Sequence, residues 1–180
     1  MNEIEIIRSQ LQAEQTHAAE VANACAAAAG GQATGFSEAC VSYLVWVLAR
    51  FEERDQTLAE LLSARRSPAT GAVADEGGTE GLIARPGTSR EALARLERAL
   101  AAGDTAAAAA WREFARFFNE AWLPRRAALE QALAARASVA QWRAVCAIDA
   151  DAMLEERSRY ARVLAQWPSG LERKPPPAPR

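Results

Sequence analysis

The sequence predicts an all-α protein, a four-helix bundle in up-down-up-down order with a short accessory helix that follows a long flexible loop. Three observations predict it. Half of the 180 residues are apolar and about a quarter charged, with alanine and arginine abundant, one lysine (Lys174) and few β-branched residues, a composition that favours helix. Apolar residues recur at three- and four-residue steps over four long stretches, and the strict alternation of a half-buried strand is missing. The third observation is the stretch from Phe36 to Arg66, FSEACVSYLVWVLARFEERDQTLAELLSARR, whose first half is apolar on nearly all sides and which therefore belongs at the centre of the core.

The elements follow in order. Ile4, Ile7, Leu11, Ala18, Ala22 and Cys25 define one face of a first helix that Gly30 and Gly31 stop near Ala29. The second helix runs to about Ala64, with Ser37 as its expected cap. Residues 67–88 are rich in glycine, proline and small residues without periodicity and are expected to form the long loop, a connection or a lid. Thr88-Ser-Arg-Glu91 has capping-box spacing and opens a short helix bearing Leu93, Leu96 and Leu100, closed by Gly103. Asp104 is placed to cap a helix from about Thr105 to Ala135 that carries Trp111, Phe114, Phe118, Trp122, Leu129 and Leu133. Pro124 must kink that helix or begin a new segment. Ser138-Val-Ala-Gln141 repeats the capping spacing and starts a last helix expected to continue through Trp142, Cys146, Met153 and Tyr160 to Trp167. Residues 1–167 thus read as one domain and residues 168–180 as a disordered, proline-rich tail.

Composition also narrows function. A formal net charge of −2 with interspersed signs leaves no basic stripe for nucleic acid and no cationic face for a membrane surface. The N-terminal MNEIEIIRSQ carries acidic residues where a signal peptide needs a cationic start and an apolar run, and no window of about 18 apolar residues occurs. Cys25, Cys40 and Cys146 are odd in number, lack C-x-x-C spacing and sit in apolar contexts, which reads as reduced, packed thiols in a cytoplasmic protein. No cysteine has a base at helical-neighbour spacing on an apolar face, and no glycine-rich phosphate loop with its lysine is present.

Charged residues inside apolar stripes point to a site, because burying an unpaired charge is costly. On a 100° wheel Asp55 falls in the stripe of Leu44, Leu48, Phe51, Leu58 and Leu62, while Glu53 points away. Asp149 and Glu156 share the face of Trp142, Cys146, Met153 and Tyr160. Arg125 lies between Phe118 and Leu129, and Glu14 borders the first helix's stripe. Two readings compete. Glu14, His17, Asp55, Asp149 and Glu156 supply carboxylates from several helices and a Glu-x-x-His spacing, the donor set of dinuclear iron or manganese centres. Alternatively no cofactor is held, and Asp55, Asp149 or Glu156 forms buried ion pairs with Arg125 or Arg157, with Asp55–Arg125 foremost. The five tryptophans pack the core or line a cavity for a small planar ligand.

The order of elements, with ARFEERDQTLAELL, WLPRRAALEQAL and QWRAVCAIDADAMLEERSRYARVL, resembles the hemerythrin-like domain over most of residues 4–167. The resemblance implies a di-iron site built from one histidine on the first helix, two His-x-x-x-Glu pairs and further histidines. Of these only His17 has a counterpart. Ala49-x-x-x-Glu53 or Phe51-x-x-x-Asp55, and Arg126-x-x-x-Glu130, stand where the pairs would fall, each without its histidine. The resemblance therefore implies a relative that has lost its iron and kept the bundle, a non-catalytic protein acting through a protein partner or self-association. A carboxylate-rich metal or oxygen binder and a small-molecule sensor using Arg125 are the alternatives.

Overall fold

A computed structural model describes residues 3–28, 34–64, 88–134, 137–146 and 150–173, and all of its regular structure among these is helical. Helix α1 spans Glu3–Ala28 and α2 spans Thr34–Ala64. They are followed by α3 (Thr88–Ala102) and α4 (Asp104–Phe117). A π turn, Phe118–Trp122, joins α4 to α5 (Leu123–Ala134). Helices α6 (Val139–Cys146) and α7 (Ala150–Ala165) complete the order. The expected loop at 67–87 lies outside the described residues.

The local signals hold at several ends and fail at others. Ser138 and Gln141 form the reciprocal cap at the start of α6: the Ser138 amide donates to Gln141 Oε1 at 2.9 Å, and the Gln141 amide to Ser138 Oγ at 3.3 Å. Gly103 separates α3 from α4 with φ of 113°, a backbone conformation that costs glycine little. Gly103 itself, rather than Asp104, occupies the N-cap of α4, and no side chain caps that end. Ser37 falls inside α2, which begins three residues earlier at Thr34. The last helix is not described as one piece but as α6 and α7, with residues 147–149 outside the description.

Pro124 leaves the helix unbroken, and the adjustment lies just before it. In a regular α-turn its ring would press on the carbonyl of Glu120. Across Phe118–Trp122 the turn is wider, and the Leu123 amide bonds the Phe118 carbonyl, five residues back. One extra residue is taken up there, so the side chain returning to the Phe118 face is the eighth residue on, Arg126, rather than the seventh, Arg125.

Cross-helix contacts fix the directions. Glu14 meets Arg54 and Cys25 meets Cys40, so α2 runs antiparallel to α1. Asn23 meets Asn119 and Gln15 meets Glu130, so the continuous α4–α5 rod is also antiparallel to α1. His17 meets Glu156 and Glu20 meets Tyr160, so α7 is parallel to α1. The four long elements therefore run up, down, down, up, and the expected up-down-up-down order is corrected. The reason is α3, which pairs with α4 as a helical hairpin and packs on α2, and so supplies the missing reversal. Its first turn is fastened to α2 where Glu52 accepts from Ser89 at 2.6 Å and pairs with Arg90.

The main apolar core is built from Val21, Ala22 and Cys25 of α1, Phe36, Cys40, Tyr43, Leu44, Val47, Leu48 and Phe51 of α2, and Trp111, Phe114, Phe118 and Trp122 beyond. Leu93, Leu96, Tyr160 and Val163 close it. The rings of Phe118 and Trp122 stack at 4.7 Å and Trp122 meets Phe51 at 4.8 Å. Residues 168–173, at the start of the expected disordered tail, are described, and none of them is buried. The Trp167 indole donates to the Leu171 carbonyl at 3.0 Å, and Arg173 reaches Glu20 at 2.9 Å. Residues 174–180 lie outside the described residues. Among the described residues no helix is long and apolar enough to cross a membrane.

Candidate functional site

Charged side chains enter the interior from α1, α2, α5 and α7. The stripe of α1, Ile7, Leu11, Ala18, Val21 and Cys25, passes through Glu14, which is 3% exposed and stands at its centre rather than its border. On α2 the buried positions Cys40, Leu44, Val47 and Phe51 continue at the same three- and four-residue step to Arg54, which is 1% exposed. The two meet as a forked pair, with Arg54 Nη1 donating to Glu14 Oε2 at 2.6 Å and Nη2 to Oε1 at 3.2 Å. Arg50 adds a second guanidinium 3.9 Å from the same carboxylate. Such a bidentate geometry satisfies both oxygens at once, which a buried carboxylate requires.

One turn further along α1, His17 lies at the rim of the interior, with 31% of its side chain exposed. Its Nδ1 donates to Glu156 Oε1 at 2.9 Å, and its ring stacks on Tyr160 with centroids 4.0 Å apart. The same Glu156 oxygen accepts the Tyr43 hydroxyl at 2.8 Å. Burial, and after it the charge of Glu156, pushes the Tyr43 phenol well above its ordinary value. Tyr160 in turn donates to Glu20, and burial is the first cause of the upward shift of its phenol. His17, Glu156 and Tyr43 thereby form one bonded set across α1, α7 and α2, and Tyr160 with Glu20 a second one, the two touching where His17 stacks on Tyr160.

The third pair lies on α5. Arg126, 3% exposed, is bonded to Asp55 and lies 3.7 Å from Glu130. Its guanidinium lies over the rings of Phe51 at 5.6 Å and Trp122 at 5.7 Å. Burial raises the Asp55 carboxyl above its ordinary value, with Arg126 pulling in the opposite direction and not overcoming it.

The candidate residues are thus divided. Glu14, Asp55 and Glu156 all face inward, but each is already engaged by a separate partner, and Asp149 lies outside the described residues. Among the described residues no three histidine, cysteine or acidic side chains are grouped closely enough to hold a metal ion, so Glu14, His17, Asp55 and Glu156 do not converge as one donor set. The expected Asp55–Arg125 pair is replaced by Asp55–Arg126, because the π turn shifts the inward face by one residue, while Arg125 acts on Asp55 only through its charge. Arg157 is exposed and takes no place in the interior. Trp111 and Trp142 are packed at 1% exposure each, so neither faces an open cavity for a planar ligand. Arg54 and Tyr43 were absent from the sequence-based set. The continuation of the Cys40, Leu44, Val47, Phe51 step marks Arg54, whereas nothing in the sequence distinguishes a phenol that bonds a carboxylate from one that only packs.

Compared with protein-family models, characterised proteins and solved structures, the chain has no significant match in any of the three.

Proposed function

We propose that this chain is a four-helix-bundle protein of the hemerythrin-like type, made of α1, α2, α4–α5 and α6–α7, in which ion pairs have replaced the dinuclear centre. It works through contact with a protein partner or a second copy rather than through catalysis. The observation that carries the reading is the position of Arg54 and Arg126. Each is buried against a different one of the candidate carboxylates and neutralises it, Arg54 on Glu14 and Arg126 on Asp55. A guanidinium there opposes a divalent ion both by its charge and by the space it fills. His17 and Glu156 keep the form of a ligand pair, but Tyr43 holds the same carboxylate oxygen.

The test is elemental analysis of the protein produced in medium supplemented with iron and manganese. The expected result is far less than one metal ion per chain, unchanged in Glu156→Gln. Near-stoichiometric metal that is lost in Glu156→Gln overturns the proposal in favour of a metal or oxygen binder.

A further inference from the structure

Cys25 and Cys40 occupy the part of the interior that the charged groups do not reach. Both are fully buried, at 0% exposure, and neither is in a disulfide. They belong to one apolar cluster with Val21, Ala22 and Phe36. The Cys25 thiol is within hydrogen-bonding reach of Cys40 across the α1–α2 contact. The helix register places them there independently. The Glu14–Arg54 pair fixes the antiparallel alignment, and Cys25, about three turns along α1, and Cys40, almost four turns back along α2, stand level to within one turn.

We propose that this dithiol is a redox-sensitive bolt: two-electron oxidation by a hydroperoxide joins Cys25 to Cys40 and locks the connected ends of α1 and α2 together. The reduced pair packs as two small apolar side chains. In the first step the sulfur of one cysteine attacks an oxygen of hydrogen peroxide, the O–O bond breaks, and the departing hydroxide leaves as water with the thiol proton. That cysteine is now a sulfenic acid. In the second step the other sulfur attacks it, the S–S bond forms and the S–O bond breaks, and a second water carries away the hydroxyl and the remaining thiol proton. Two thiols and one peroxide become one disulfide and two waters. Because both thiols are buried, and burial pushes the Cys25 thiol up, the reaction proceeds through transient separation of the helix ends, and its rate rises with any condition that loosens them.

The experiment uses the full chain carrying Cys146→Ala, so that only this pair is left to react. Protein is treated with hydrogen peroxide in buffer and in urea below the unfolding transition, and then returned to buffer. The expected product has lost two hydrogen atoms by intact mass and yields, without reductant, a peptide linking residue 25 to residue 40. It melts about 5–10 °C higher than the reduced protein, as closure of a loop of this length implies, and dithiothreitol restores the original melting temperature. Cys40→Ala, tested in parallel, forms no such product and shows no rise, and Cys40→Ser guards against a packing defect in the alanine variant. Three results overturn the proposal: sulfinic acid on either cysteine without the linked peptide, linkage only between chains, or a linked product that melts no higher than the reduced protein.

Discussion

The interior changes character along the α1–α2 pair. Towards the connection between the two helices it is sealed and apolar, with Cys25, Phe36, Cys40 and Val21 at 0% exposure. Beyond Tyr43 charges join the apolar side chains, with Glu14, Arg54, Glu156 and Arg126 at 5% exposure or less beside Leu44, Val47, Leu48 and Phe51. The two halves are held by different physics. The sealed half gains from area removed from water and is indifferent to which apolar group fills it, provided the volume is kept. The charged half gains little from burial itself, but each charge accepts only the partner aimed at it, so Glu14 with Arg54 and Asp55 with Arg126 specify register.

That contrast is broken most severely by cutting one member out of each half. Arg54→Met leaves Glu14 buried without its fork and is expected to cost about 3–5 kcal/mol in urea denaturation, most of which returns in the double variant Glu14→Leu with Arg54→Met. Phe36→Ala costs a similar amount, about 3–5 kcal/mol, through the cavity it leaves, but no second removal rescues it and its cost does not depend on pH. A rescue of Phe36→Ala by Glu14→Leu would show the halves to be coupled.

Tyr43 stands at the boundary. Tyr43→Phe removes a hydrogen bond to a carboxylate and is expected to cost about 1–3 kcal/mol at neutral pH. Its folded phenol titrates above the ordinary value of 10.0, so above that pH the unfolded chain releases protons that the folded chain keeps. Stability therefore falls as pH rises beyond about 10, and thermal melts in that range should fall less steeply for Tyr43→Phe.

Asp55 gives the smallest effect, about 1 kcal/mol for Asp55→Asn at neutral pH. Its carboxyl is raised from 3.8, so the folded chain binds the proton more tightly than the unfolded one. The stability it contributes is complete below that value and declines as pH rises through the folded value. Melting curves taken upward from about pH 4 should show that decline in the wild type and a flatter profile in Asp55→Asn. An identical slope in both would mean that Arg126 fully offsets the burial of this carboxyl.

Much of the helical layout was legible because it rests on short-range signals: the Ser138–Gln141 cap, Gly103, and the stripe of Ile7, Leu11, Ala18 and Cys25. The inward positions of Asp55 and Glu156 were legible from the same periodicity. Chain direction was not, because α3 looked accessory in the sequence and its pairing with α4 is a tertiary fact. Partner choice was also hidden. A wheel assumes a constant 100° per residue, and the turn at Phe118–Trp122 departs from it, which selected Arg125 where Arg126 is buried.

That wider turn has a consequence for comparing this chain with others. A relative with uninterrupted α-helix through this region would need one residue fewer to present the same surface. An alignment drawn without a gap between Phe118 and Trp122 would then set Arg125 against the residue that corresponds to Arg126, and would score a kept ion pair as a lost one. The place to put the gap is visible in the backbone, where the Leu123 amide reaches back to Phe118.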